Sequence, residues 1–199
     1  LYKQLSQEKK KKDKVLHMHR WMRYAAILAV ALLMGGGAGY WFYNRPEHQM
    51  LVAVANEGIV KEVVLPDGTK VWLNNAATLK YPREFSEKER NVYLDGEAYF
   101  EVAPDKNRPF YVETEEVKIR VLGTVFDVNT HYTRGVRTVL VEGAVALEWG
   151  DQKEIRMKPG ELADFDRTTT EVTLKEVDVT SYISWKEGYF VFEDEPLEE

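Results

Sequence analysis

Two different periods of apolar residues divide this chain. From Tyr24 to Tyr43 the apolar positions run together, YAAILAVALLMGGGAGYWFY, with no charged group and no polar stripe. Twenty such residues as a helix extend about 30 Å, the depth of a bilayer's hydrocarbon core, so the run predicts a transmembrane helix. A buried helix of a soluble protein would keep one polar face. Trp21 and Tyr24 at one end, and Tyr40, Trp41, Phe42 and Tyr43 at the other, stand where interfacial aromatic belts belong. Gly35 and Gly39 have the spacing of a close helix pair, although four glycines in GGGAG more simply weaken the helix.

Beyond Val60 the period becomes two. VKEVVL, TKVWLN, RNVYLDGEAYFEVA, FYVETEEVKIRVLG, TVFDVNTH, RTVLVEGAVALEWG, KEIRMKPGELADFD and EVTLKEVDV alternate or nearly so, punctuated by Gly, Pro, Asn and Asp. No helical stripe interrupts them until the end, so the expected fold is mainly β: one transmembrane helix, then an all-β domain built as an irregular β-sandwich or a β-helix-like stack. The expected divisions are a basic juxtamembrane segment 1–23, the helix 24–43, a linker 44–56 and the β domain 57–180. In the linker, NRPEHQMLVAVAN already shows the alternation of a short strand.

Within the β region, LPDGTKVWLNNAATLKYP holds an Asp67-Gly68 hairpin signal in which Gly68 takes positive φ. The turn places Val71 and Leu73 on one face and Lys70 and Trp72 on the other. Asn74 and Asn75 tolerate left-handed backbone and suit the next bend. Gly96, Gly123 and Gly143 share an apolar-x-Gly-x-apolar-x-apolar surround at separations of 27 and 20 residues, too irregular for a solenoid and better read as repeated strand-bend-strand units.

Charge separates the two ends. Residues 1–23 carry eight Lys/Arg against Glu8 and Asp13, a net of +6, which leaves −12 for the remainder of a −6 chain. Cations before the apolar run, with only Arg45 close behind, put the N-terminus in the cytoplasm and the acidic body outside by the positive-inside rule. A cleavable signal peptide has a shorter apolar core nearer the N-terminus. An acidic body is a poor nucleic-acid binder, so no direct nucleic-acid contact is expected. Leu1 in first position and the ending FEDEPLEE give the expectation that both ends are cuts in a longer polypeptide.

Candidate chemistry is sparse. Without cysteine there is no disulfide, thiolate metal site or cysteine nucleophile. His17 and His19 stand in a highly charged stretch without further ligands, and His48 and His131 are isolated. Asp95, Glu97, Glu101, Asp127 and Glu142 are abundant carboxylates, yet Glu97 and Glu101 alternate with Ala98, Phe100 and Val102 like the outer face of a half-buried strand. No G-x-S-x-G elbow or phosphate loop occurs. No catalytic group, cofactor or metal is expected. Trp185, Tyr189, Phe190 and Phe192 supply either a binding surface or a core strand.

The ordered motifs LPDGTKVWLNNAATLKYP, RNVYLDGEAYFEVAPDKNRPFYVET, VKIRVLGTVFDVNTH, VLVEGAVAL and MKPGELADF, from roughly Glu57 to Asp166, resemble the FecR-like transmembrane regulators of extracytoplasmic-function sigma factors, Bacteroidetes type. The resemblance implies a non-enzymatic single-pass anti-sigma factor of the bacterial inner membrane. It implies a TonB-dependent outer-membrane transducer as periplasmic partner and a sigma factor bound through an N-terminal domain that residues 1–20 are too few to form. An intramembrane protease is a further implied partner, and 181–199 look like the start of a secretin/TonB short N-terminal-like domain. No partner-contacting residue carries over. The matched residues Asp67, Gly68, Trp72, Leu73, Asn74, Gly96, Tyr99, Phe100, Pro109, Phe110, Gly123, Phe126, Gly143 and Gly160 are expected to serve folding, as Tyr24, Gly35, Gly39 and Tyr43 are expected to serve the membrane helix. The alternative reading is a membrane-anchored periplasmic carbohydrate- or solute-binding module.

Overall fold

The computed structural model describes residues 2–43 and 49–188. It falls into two compact units, Leu1–Arg45 and Pro46–Glu199. The first is a single helix, α1 (Tyr2–Tyr43), in which the basic head and the apolar run are continuous. Within it, Trp21–Tyr40 is long and apolar enough to cross a membrane, with mean hydropathy 1.4 and no residue buried. Tyr24 and Tyr43 are exposed, and Gly35 and Gly39 remain helical with open space around them. The side chains of His17, His19, Trp41 and Phe42, and residues Arg45, Pro46 and His48, lie outside the described residues.

The second unit holds two seven-stranded sheets. Sheet 1 runs β1 (Met50–Val54), β4 (Thr78–Pro82), β5 (Arg90–Asp95), β7 (Phe110–Glu113), β8 (Val117–Val121), β11 (Val145–Trp149), β12 (Lys153–Met157). Sheet 2 runs β2 (Lys61–Val64), β3 (Lys70–Leu73), β6 (Glu97–Glu101), β9 (Val125–Tyr132), β10 (Gly135–Glu142), β13 (Glu161–Asp166), β14 (Glu171–Glu176). Both sheets fill in sequence order, because the chain lays one strand or hairpin in one sheet and the next in the other. The two expected architectures therefore meet in one object, an open sandwich that advances like a stack and closes no barrel. Neighbours are antiparallel except β5 and β7, which run parallel because β6 crosses to the other sheet between them. β1 forms inside 44–56, where the alternation MLVAV pairs with β4.

The shared glycine pattern marks the places where the chain changes sheet. Gly96 lies between β5 and β6, Gly123 between β8 and β9, Gly143 between β10 and β11, and Gly160 between β12 and β13. At Gly96 the requirement is physical: φ is +107°, and a Cβ would stand 2.6 Å from the Ala77 Cα. The Gly96 N–H donates to the Thr130 hydroxyl at 2.8 Å, which ties the corner to β9.

Alternation sets the core between the sheets. Val71, Leu73, Phe100, Phe126 and Val128 from sheet 2 meet Leu79, Val92, Phe110, Val112, Ile119 and Leu147 from sheet 1, all fully buried. Phe100 stacks on Phe126 with centroids 5.1 Å apart and meets Phe110 edge-on at 6.4 Å across the sandwich. Pro109 precedes β7, and its carbonyl accepts from the Arg90 N–H at 2.9 Å.

The Asp67-Gly68 hairpin joins β2 to β3. Gly68 N–H donates to the Leu65 carbonyl at 2.9 Å, and Gly68 has φ +86°. Asp67 also accepts from the Thr69 hydroxyl at 2.7 Å and from Arg90 Nη1 at 2.7 Å, with both ionic side chains at most 4% exposed. Arg90 further donates to the carbonyls of Ala103 and Arg108 at 2.7 and 3.0 Å. A residue expected to shape a turn thus also fastens sheet 2 to sheet 1. At the following bend Asn74 and Asn75 work through their side chains, and the left-handed residue is Ala76, at φ +56°. Asn74 Oδ1 accepts from the Asn75 N–H, and Asn75 Oδ1 accepts from the Gly58 N–H at 2.9 Å.

Candidate functional site

The outer face of sheet 2 is more polar and more covered than alternation alone suggests. Cross-strand register sets Trp72 beside Tyr99, Tyr99 beside Asp127, and Asp127 beside Val139. One step along, Glu97, Asn129, Arg137 and Asp164 stand in a row across β6, β9, β10 and β13. A short helix, α2 (Val179–Ile183), and a 3-10 turn, Ser184–Glu187, carry Tyr182, Trp185 and Lys186 to this face. Asp178 caps α2 by accepting the Thr180 N–H at 3.0 Å.

Three groups organise the face. The first is a cation seat: Lys186 Nζ lies 4.2 Å from the centroids of both Trp72 and Tyr99 and 3.1 Å from Glu101 Oε1. The two rings meet edge-on, 5.7 Å between centroids. Burial, then the nearby charges of Glu101 and Asp127, push the Tyr99 phenol up to about 12, and its ring face attracts the cation through the ring quadrupole.

The second group is a pair of neighbouring carboxyls, of which Asp127 has an oxygen without a hydrogen bond. Burial pushes Asp127 well above the ordinary carboxylate range, and the neighbouring Glu97 charge pushes further the same way. Trp185 and Arg137 moderate that rise, yet Asp127 Oδ2 and the Trp185 indole N–H close no hydrogen bond. Burial raises Glu97 too, against hydrogen bonds from Asn74 and Asn129. The Asn74 amide reaches Glu97 at 2.5 Å.

The third is Arg137, stacked 3.6 Å from the Tyr132 ring centroid and 5.5 Å from that of Tyr182. Its ion pair with Asp164 is loose at 3.9 Å, and Arg137 Nε and Asp164 Oδ1 have no partner. Rings and carboxylates so arranged attract cationic side chains, and here they hold Lys186 and Arg137 of this chain. Among the described residues no group of three or more His, Cys, Asp or Glu could hold a metal ion.

The motif residues expected to serve folding distribute over several places. Leu73, Phe100, Phe110 and Phe126 are in the core; Gly96, Gly123, Gly143 and Gly160 are at corners; Asp67 and Gly68 are in the hairpin. Trp72, Tyr99 and Asn74 instead line the covered outer face. Sequence reasoning gave Glu97 and Glu101 to an outer face, and there they are, but that face lies under the segment at 178–188 rather than in open solvent. Trp185 sits in a 3-10 turn, not in a strand as one reading had it, and Tyr189, Phe190 and Phe192 lie outside the described residues. Asp127 and Arg137 were missed as partners; their matched parity with Tyr99 and Glu97 was the available signal, but register is not written in a single strand.

An apolar helix of membrane-crossing length followed by a two-sheet β domain fits a single-pass membrane protein. Residues 52–146 match the FecR protein family. Over this stretch the chain is FecR-like; the match begins before the first quoted motif, which starts at Leu65, and ends within β11, short of MKPGELADF. Two crystal structures, each of a candidate anti-sigma factor from Parabacteroides distasonis ATCC 8503, are similar to it at TM-score 0.65 and 32% identity. They cover 70% and 69% of this chain, and the chain spans about 65% of theirs. No curated protein matches the chain.

Proposed function

We propose that this chain is part of a single-pass anti-sigma regulator of the bacterial inner membrane, N-terminus in the cytoplasm and β domain in the periplasm. It relays a signal from a TonB-dependent outer-membrane transducer to an extracytoplasmic-function sigma factor, acting by binding rather than catalysis. The observation that carries this reading is likeness over 70% of the chain, at 32% identity, to a candidate anti-sigma factor. The FecR match across 52–146 and the basic head before the apolar helix support the same reading. Residues from 181 onward lead, in this reading, toward a small secretin/TonB short N-terminal-like domain, and proteolysis within the glycine-weakened helix is a means of releasing the cytoplasmic part.

The test is binding of the detergent-solubilised chain to purified periplasmic signalling domains of transducers encoded beside it. Saturable binding to one of them, with loss of induction of the cognate sigma-dependent reporter when the β domain is deleted, is the expected result. A chain that binds none of them while retaining a glycan in a pulldown would replace the relay with a solute-binding module.

A further inference from the structure

The segment 178–188 is held differently from the rest of the β domain. Neither α2 nor the 3-10 turn contributes a buried residue, so no apolar core fixes them. What holds them is a few polar and aromatic seats, of which the Lys186 site is the most complete: two ring faces and a carboxylate converge on one ammonium, 21% exposed. Ser181 also has an interaction, and two further points are weaker. Trp185 faces a carboxylate without closing a hydrogen bond, and Tyr182 reaches Arg137 only at 5.5 Å.

We infer that Trp72, Tyr99 and Glu101 form an alkylammonium-binding cage whose ligand is this chain's own Lys186, and that this seat is the main latch of the segment 178–188 onto sheet 2. The cage is rigid because Trp72 and Tyr99 sit directly opposite on paired strands, with Leu73 and Phe100 anchored in the core behind them. The ligand is on the element with the least buried support, so the segment lifts without opening the sandwich. Lys70, directly across from Glu101 on β3, is the rival cation; its side chain stands on the exposed edge of the row. A partner that engages the chain beyond Gly188 therefore works mainly against this cation seat rather than against the core. This inference stands apart from the sigma-regulator reading and survives its failure.

The test is hydrogen–deuterium exchange, read by mass spectrometry on the 199-residue chain in detergent, for Lys186→Met, Glu101→Gln and Lys186→Arg. Peptides spanning 179–188 are expected to exchange roughly 10-fold faster in Lys186→Met and about 3-fold faster in Glu101→Gln, while β6 and β9 keep their protection. Lys186→Arg, which preserves charge and stacking, stays within about 2-fold of the parent. Exchange in 179–188 unchanged in Lys186→Met overturns the latch. So does acceleration of the strands together with the segment, since the seat would then serve the sandwich as a whole.

Discussion

Two places in this domain bury charge, and they do it in opposite ways. At the Asp67 hairpin, Arg90 and Asp67 are sealed with short mutual contacts, and two backbone carbonyls and the Thr69 hydroxyl take up most of the remaining hydrogen bonds. On the outer face of sheet 2, Asp127, Arg137 and Asp164 are buried or half-buried with atoms left unpartnered. A buried ion pair with nearly all its hydrogen bonds met, as here where Arg90 Nη2 is left without one, works as a staple, whereas buried charge with fewer partners costs more stability. The first site belongs to the architecture. The second is satisfied less completely, with atoms of Asp127, Arg137 and Asp164 left without hydrogen bonds.

Removing one half of the staple is expected to give the largest effect. Arg90→Ala strands the Asp67 carboxylate inside the sandwich and should cost about 3–5 kcal/mol of unfolding free energy, read by denaturant titration with circular dichroism. Matching losses in Arg90→Ala and Asp67→Ala, non-additive in the double variant, would define the staple as one unit. A loss below about 1 kcal/mol would erase the distinction between the two sites.

Gly96 joins the two regions, since β5 carries Arg90 to its left and β6 carries Glu97 to its right. Gly96→Ala places a methyl group against Ala77 at a backbone angle that L residues rarely adopt, and should cost about 2–3 kcal/mol. The same titration checks it. A loss below about 0.5 kcal/mol would show that the corner is not the constraint.

These two tests also mark what was legible in the chain. The apolar run of α1, the period-two body and the glycine corners could be read because each is a local pattern with one physical cause. The ordered sheet filling was half-visible, as an echo of corners without a way to decide which sheet each strand joined. The Asp67 turn was read correctly as a hairpin, but its ion pair spans 23 positions and no local signal announces it. The cation seat was harder still: Lys186 and Glu101 are 85 residues apart, and only the paired register of β3, β6 and β9 brings their surroundings together.

The smallest expected effect tests the less satisfied side of the comparison through pH. In the folded chain Asp127 holds its proton more tightly than the ordinary value of 3.8, because burial and the Glu97 charge disfavour the anion. Between that value and its own raised one, the folded state binds more protons than the unfolded state, so stability falls as pH rises. The contribution is complete below the unfolded value and is lost as pH passes through the folded one. Asp127→Asn keeps an oxygen facing the Trp185 indole and removes the ionisation, so its stability should decline less from pH 4 toward pH 8. At pH 7 it should exceed the parent by on the order of 1 kcal/mol. Glu97, raised by the same burial, retains part of the slope, and Asp127→Asn should therefore reduce it rather than abolish it. Denaturant titrations at several pH values give the comparison directly. An unchanged slope would mean that the face relaxes enough to hydrate Asp127, and the contrast with the Arg90 staple would then be one of packing rather than of charge.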